Sequence, residues 1–285
     1  MKARIADIKS MAIHDGPGIR TTVFFKGCGL KCLWCHNPET ISSVPQLAFY
    51  ETKCQHCLAC AAVCAAHKAA ELQHHFDRGS CLGCGSCVSQ CLQGALQLFG
   101  TEVTAEALLP RLLEDRAFYE TTGGGVTLSG GECLLQADFC AALLEALKKE
   151  GIHTAVDTCG FVQKAAFEKV LPYTDIFLVD IKAIDPQVHK ACTGQENGMI
   201  LDNIRYLDSV DAQMEFRIPF VPGCNDREIP AIRDFLKTLK GSYNVKVLPY
   251  HNYAGSKYAA LGMENTLPPT IPTEAQIAEA EALLR

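Results

Sequence analysis

Residues 28–35 read Cys28-Gly29-Leu30-Lys31-Cys32-Leu33-Trp34-Cys35, a cysteine trio that directly follows the short apolar, β-branched stretch Thr21–Lys26. Three thiolates this close together can hold three corners of a 4Fe-4S cube and leave the fourth iron open to a ligand. The same distinction separates open catalytic zinc sites from closed structural ones. Taken alone, the residues also admit a zinc site completed by His36. The trio's position is informative, because α/β proteins with parallel strands gather their chemistry at the carboxyl ends of strands.

Working outward, the pattern alternates extended and helical segments, and six strands are predicted: Thr21–Lys26, Val126–Ser129, His153–Thr158, Asp175–Lys182, Met214–Phe220 and Val245–Pro249. Helical patterns lie between them, such as Leu134–Glu150 closed by Gly151 and Glu228–Lys240 closed by Gly241. Each strand ends in polar or Gly-rich residues, among them Ser129-Gly130-Gly131-Glu132, Asp157-Thr158, Asp180-Ile181-Lys182 and Arg217. Six strands are too few for a closed eight-stranded barrel. The expected fold is therefore α/β, a partial and open barrel, with a doubly wound sheet as the alternative. Thr273-Glu274-Ala275-Gln276 opens the last helix with a capping-box pattern.

The chain has 285 residues, 48% of them hydrophobic, and a net charge of -6, the profile of an ordinary soluble protein without the clustered Lys and Arg of a nucleic-acid binder. No stretch of about 18 apolar residues occurs. The residues after Met1 alternate polar and apolar and do not form the apolar core of a signal peptide. The expectation is a cytoplasmic protein without membrane contact. Of its 16 cysteines, the eleven that fall between Cys28 and Cys91 at tight, repeated spacings are therefore read as metal ligands, since a chain this long does not need disulfide staples; the other five, Cys133, Cys140, Cys159, Cys192 and Cys224, are scattered singly and need a separate explanation.

Residues 50–99 break the alternation and are read as a small insert in a domain made of 1–49 and 100–285. They carry Cys54-x2-Cys57-x2-Cys60-x3-Cys64 and, 27 residues on, Cys81-x2-Cys84-x2-Cys87-x3-Cys91. This is the spacing of bacterial two-cluster ferredoxins, in which the fourth Cys of each run ligates the other cluster. Cys54, Cys57, Cys60 and Cys91 are thus assigned to one 4Fe-4S cluster, and Cys81, Cys84, Cys87 and Cys64 to its neighbour. The proline usual after the fourth Cys is replaced by Ala65 and Leu92. A pair of zinc knuckles is the competing reading. His56, His67, His74 and His75 are read as solvated loop histidines. Of the scattered cysteines, Cys140 falls on an apolar helix and is read as core, Cys133 is placed beside the Gly-Gly loop as a residue that could line the pocket, and Cys159 adjoins Asp157-Thr158.

The trio's spacing resembles the radical S-adenosylmethionine (SAM) superfamily. His14-Asp15-Gly16-Pro17-Gly18-Ile19-Arg20-Thr21, Phe24-Phe25-Lys26-Gly27-Cys28 and Trp34-Cys35-His36-Asn37-Pro38-Glu39 narrow the resemblance to the activating enzymes of glycyl radical enzymes. It runs on through the strand ends to Pro222-Gly223 and Leu248-Pro249-Tyr250-His251. The resemblance implies a partial (β/α)6 barrel that binds SAM across its open top, with the amino and carboxylate groups of its methionine on the unique iron of the Cys28, Cys32, Cys35 cluster. It implies that Trp34 and His36 flank cluster and SAM, and that Ser129, Gly130, Gly131 and Glu132 form the loop that meets the amino group. Asp180, Ile181, Lys182 and His251 would line the ribose, methionine and adenine side, with Arg217 near the carboxylate or sulfonium. Asp157, Thr158 and Asp180 match the positions that hold a monovalent cation beside SAM in a member of the family.

The implied activity is one-electron cleavage of SAM to methionine and a 5'-deoxyadenosyl radical, which takes hydrogen from a glycine Cα of a partner enzyme. Lys182 and Arg217 are the candidate catalytic side chains beside the trio. With three 4Fe-4S clusters, the chain would draw electrons from an external donor such as a flavodoxin or ferredoxin, work as a monomer, and belong to an anaerobic niche. The insert points to a partner of the dehydratase, decarboxylase or carbon-heteroatom lyase kind. A ferredoxin on a silent barrel and a radical SAM enzyme acting on a small molecule or another peptide are the competing readings.

Overall fold

The computed structural model describes residues 1–70 and 73–285. Its strands are, in chain order, β1 (Lys2–Ala12), β2 (Arg20–Phe25), β3 (Gln46–Phe49), β4 (His67–Ala70), β5 (Gln73–Phe76), β6 (Leu96–Phe99), β7 (Thr101–Thr104), β8 (Gly125–Gly130), β9 (His153–Thr158), β10 (Ile176–Asp180), β11 (Met214–Phe220) and β12 (Asn244–Pro249). One eight-stranded sheet runs β12-β11-β10-β9-β8-β2-β1-β7. The pairs from β2 through β12 are parallel, whereas β1 is antiparallel to both β2 and β7.

All six predicted strands are present, and the parallel ones stand in sequence order. Every crossover therefore advances in the same direction, as in a barrel. A doubly wound sheet would reverse at a switch point, so that alternative is excluded. The strands β12 and β7 form opposite edges, which leaves the sheet open.

Strand alternation divides each parallel strand between two environments. Val126, Leu128, Val156, Phe177, Val179, Phe216 and Ile218 face the helices and pack with Leu143, Leu144 and Leu147, Ile204 and Leu207, and Ile232 and Phe235 in one apolar core. Those side chains come from helices Ala137–Lys149, Gly198–Ser209 and Ile229–Leu236. Two predicted helices are shorter than expected, for reasons visible in their caps. The first begins as a 3-10 turn at Cys133–Gln136, where the Glu132 carboxylate accepts the Leu134 N–H, and Gly151 closes it with φ 72°. The second stops at Leu236, because the backbone N–H groups of Lys240 and Gly241 turn to the Asp208 carboxylate. The C-terminal helix Glu274–Leu284 carries the capping box between Thr273 and Gln276. None of the helices among the described residues is long and apolar enough to cross a membrane.

Within residues 50–99 the backbone repeats at the same 27-residue interval as the cysteines. Short 3-10 turns at Glu51–Lys53 and Arg78–Ser80 precede the two ladders. The His56 N–H donates to Cys54 Sγ at 3.4 Å, and the Gly83 N–H to Cys81 Sγ at 3.4 Å. Left-handed backbone occurs at His56 and Leu58 in the first half and at Gly83 and Gly85 in the second. The first half thus holds side chains in a conformation that costs about 1 kcal/mol per non-glycine residue. Arg78 ties this region to the barrel: it donates to Leu47 O on β3 and to Ala260 O on helix Gly255–Leu261. The predicted solvated histidines divide. His56 and His75 are exposed, but His67 and His74 are buried, because the β4–β5 pairing turns both onto the inner face.

Candidate functional site

At the carboxyl ends of the parallel strands lies a cavity of about 570 Å³. The register sets Asp180 beside Arg217 and Leu178 beside Asp157, so Asp157, Asp180 and Arg217 fall on the sheet face opposite the apolar core. Cys28, Cys32, Trp34, Cys35 and His36 line the cavity together with Ser129, Gly130, Gly131, Asp157, Thr158, Asp180, Lys182, Arg217 and His251. The structure thus brings together nearly every barrel residue that the sequence singled out.

Two of them are not in the wall. Ile181 is 1% exposed and packs in the apolar core, because it alternates with Asp180 and Lys182 across the strand end. The Glu132 side chain is fully buried, and its carboxylate accepts hydrogen bonds from Thr158 Oγ1 at 2.8 Å, the Cys159 N–H at 3.0 Å and the Leu134 N–H at 3.1 Å. It braces the β8 and β9 ends from beneath, Oε2 taking the Thr158 and Cys159 donors and Oε1 the Leu134 N–H. Cys133 also lies below the floor, fully buried, with its thiol directed at Leu128 O. The two glycines answer to neighbouring backbone more than to ligand approach. A Cβ on Gly130, at φ 121°, would come within 2.2 Å of Phe25 N, and one on Gly131 within 2.4 Å of Gly27 O.

The trio is embedded in protein. Burial pushes the Cys32 thiol up to about 11 and the Cys35 thiol up to about 12, with neighbouring thiols adding to the rise at Cys35. Cys28 is held below the usual thiol range by a hydrogen bond with the Cys159 thiol. Buried thiols with raised pKa become thiolates when a bound cation supplies the compensating charge, so this donor set fits a metal centre. The Lys182 ammonium, 7% exposed, bonds Asp180 Oδ2 at 2.7 Å; burial works against its charge, and Asp180 together with the Cys32 and Cys159 sulfurs more than offsets it, so its pKa is raised. Arg217 Nη1 meets Asp157 Oδ1 at 3.1 Å, and Ser129 Oγ donates to the other Asp157 oxygen. Burial raises the Asp157 carboxyl to about 6 against the pull of Arg217, whose own pKa Asp157 raises.

The cavity rim is aromatic. The His36 ring stacks on His251 at 3.9 Å, and His251 stacks on Tyr253 at 4.6 Å. His251 Nδ1 is buried without a partner among the described residues. Trp34 packs with Cys192, Val221 and Tyr250.

Sequence reasoning missed Lys257, which donates to His36 O, Asn37 Oδ1 and Glu39 Oε1 and so pins the loop that follows Cys35. It also missed Lys9 and Asp15 as lining residues. Asp15 stood within the His14–Thr21 stretch, whereas Lys257 lies 221 residues from His36 and had no local signal. In the same stretch Arg20 is fully buried and donates to Thr127 Oγ1, Pro17 O, Val126 O and His153 O, which makes it a fold organiser.

In the insert, Cys54, Cys57, Cys60 and Cys91 line one cavity of about 180 Å³, together with Phe49, Leu58 and His74. Cys87, Leu47 and Leu96 form a small buried cluster, with Cys60, Cys64, Cys81 and Cys91 packed against it. Cys57 and Cys84 are exposed.

The Radical SAM superfamily pattern matches residues 22–236. The fold resembles that of Streptococcus suis SuiB bound to precursor peptide SuiA, with a TM-score of 0.53 and 14% identity over 90% of this chain and 42% of that one. The chain is a member of the radical SAM superfamily. It is 40% identical to the choline trimethylamine-lyase activating enzyme of Oleidesulfovibrio alaskensis, over 100% of this chain and 95% of that protein. It is 41% identical to the trans-4-hydroxy-L-proline dehydratase activating enzyme of Clostridioides difficile, over 90% and 87%. To the benzylsuccinate synthase activating enzyme of Thauera aromatica the identity is 36%, over 90% and 81%. Within the superfamily it thus belongs to the activating enzymes of glycyl radical enzymes.

Proposed function

We propose that this activating enzyme carries three 4Fe-4S clusters, one on Cys28, Cys32 and Cys35 and two in a ferredoxin-like insert at residues 50–99, and serves a dehydratase, decarboxylase or carbon-heteroatom lyase. The cavity shared by Cys54, Cys57, Cys60 and Cys91 carries the insert reading, because it joins the first three cysteines of one ladder to the fourth of the other. The remaining quartet is Cys81, Cys84, Cys87 and Cys64. Activating enzymes of both dehydratases and lyases stand among the relatives, which supports the partner class.

When bound, the barrel cluster and SAM supply one-electron cleavage that delivers a 5'-deoxyadenosyl radical to a glycine Cα of the partner. The chain's own residues hold and orient. Cys28, Cys32 and Cys35 would hold the barrel cluster. Ser129 and the Gly130-Gly131 backbone shape the floor, and Trp34, His36 and His251 offer aromatic faces. Lys182 and Arg217 keep positive charge on the wall, where each neutralises a carboxylate and can meet the anionic end of methionine. A monovalent cation at Asp157, Thr158 and Asp180 belongs to the same reading, in competition with these two side chains. An external one-electron donor such as a flavodoxin or ferredoxin would supply the insert clusters, and the chain would act as a monomer.

The test is iron and sulfide content with EPR of the anaerobically reconstituted, dithionite-reduced protein, before and after SAM. About twelve iron per chain with one signal that changes on SAM addition is expected. About eight iron with no response to SAM sinks the reading.

A further inference from the structure

The two halves of the insert repeat differ at one buried feature. His67 on β4 and His74 on β5 are diagonal neighbours on the inner face, where His67 is 2% and His74 9% exposed. His67 Nδ1 and His74 Nε2 are 2.8 Å apart, and the outer nitrogens, His67 Nε2 and His74 Nδ1, are buried without a partner among the described residues. Phe76 stacks on His67, and Phe49 meets His74 edge-on.

A neutral pair has two N–H protons. One lies in the shared bond, and whichever way that bond runs, the second sits on an outer nitrogen. A buried N–H without an acceptor costs about 1–3 kcal/mol. The one sulfur identified at this spot belongs to Cys60, whose Sγ lies within 4.8 Å of a ring nitrogen of each histidine. The short N···N contact argues against a lone metal ion held by these three residues: if the inner nitrogens coordinate, neither carries the proton the contact needs, and if the outer ones do, both inner nitrogens carry one. In the second half the equivalent positions, 27 residues on, are Gly94 and Thr101, and neither can donate a ring N–H.

We propose that His67 and His74 act as a paired hydrogen-bond donor to the sulfur shell of the cluster on Cys54, Cys57, Cys60 and Cys91, raising its reduction potential above that of the other insert cluster. The inference rests on the two-cluster reading of the insert. An N–H directed at a thiolate or sulfide stabilises the added negative charge of the reduced cluster, and hydrogen bonds to sulfur are among the determinants of such potentials. The repeat is therefore electrically unequal, and an electron entering the insert settles on the histidine-flanked cluster.

The experiment is an EPR-monitored redox titration of the full chain, reconstituted anaerobically without SAM. Wild type shows two insert midpoints. In His67→Phe and His74→Phe the higher one falls, the reduced-to-oxidised ratio at fixed potential dropping about tenfold, or 59 mV for a one-electron couple. The lower midpoint stays in place, and His74→Gln, which keeps an N–H, preserves most of the difference. Unchanged midpoints in iron-replete Phe variants overturn the inference. If those variants lose iron, pulsed EPR of wild type labelled with 15N-histidine decides: a 15N coupling to one insert cluster upholds the donor, and its absence removes it. A wild type without two insert signals refutes the cluster assignment itself, a failure distinct from that of the histidine pair.

Discussion

The barrel and the insert solve the same problem by different means. In the barrel, a continuous sheet and a large apolar core offset the entropy of folding, so the cavity's walls stand before any metal arrives. In the insert the buried cluster is Leu47, Cys87 and Leu96 with more cysteines around it, while Leu82 and Leu92 are 92% and 93% exposed. A segment of this size buries too little apolar surface to order itself, and on the proposed cluster assignment metal ligation would supply what the core lacks. The difference teaches that closely spaced cysteines can serve two purposes: three of them line a pocket that the sheet and core already shape, and, on the proposed assignment, the eight others would build the region in which they sit.

The sharpest way to break this comparison is Cys28→Ser. SAM cleavage falls below detection, yet circular dichroism and the thermal transition of the barrel stay at wild type, because the loop's backbone remains bound through Gly27 N to Thr40 O and Cys28 N to Ile41 O. Unfolding of the barrel in this variant would show that the pocket is not preformed. Iron removal with a strong chelator comes next. Trypsin is expected to cut at Lys53, Lys68 and Arg78 at least about a hundredfold faster, with the barrel left as a resistant fragment. Equal protection with and without iron ends the idea that metal orders the insert.

Arg217→Met tests the barrel from the other side. It strands Asp157 in the wall at a cost of about 3 kcal/mol in urea denaturation. Adding Asp157→Asn recovers part of that loss, and no loss at all means that water already shields the pair. Lys257→Met removes the cation that holds the buried Glu39 carboxylate and the loop after Cys35, so stability falls by about 1–3 kcal/mol and iron uptake by the trio slows by less than about tenfold. The smallest effect belongs to Leu82→Ser with Leu92→Ser, less than about 0.5 kcal/mol and no change in iron content, as befits side chains outside any core.

Legibility in the sequence followed the same divide. Local signals were readable: β9 runs from His153 to Thr158 as predicted, and the Thr273 capping box forms. The antiparallel strand β1 escaped, although its alternation of Ala3 and Ile5 with polar residues is a strand signature; it served only to exclude a signal peptide. Strand-end motifs located the cavity, yet they did not tell which side chain faces it. Ile181 and Glu132 turn inward because strand parity and a buried hydrogen-bond network override motif membership. His67 and His74 looked like loop residues because no short-range pattern reveals that a four-residue hairpin will fold its inner face over a cysteine.

The open sheet has a further consequence. With β7 and β12 unpaired at its margins, the barrel has a seam along its side. A closed cylinder can be entered only by something with a free end or by something small. A seam accepts a thread by its middle, so a bend of polypeptide from a folded partner can be laid in sideways and lifted out again, without either protein having to come apart.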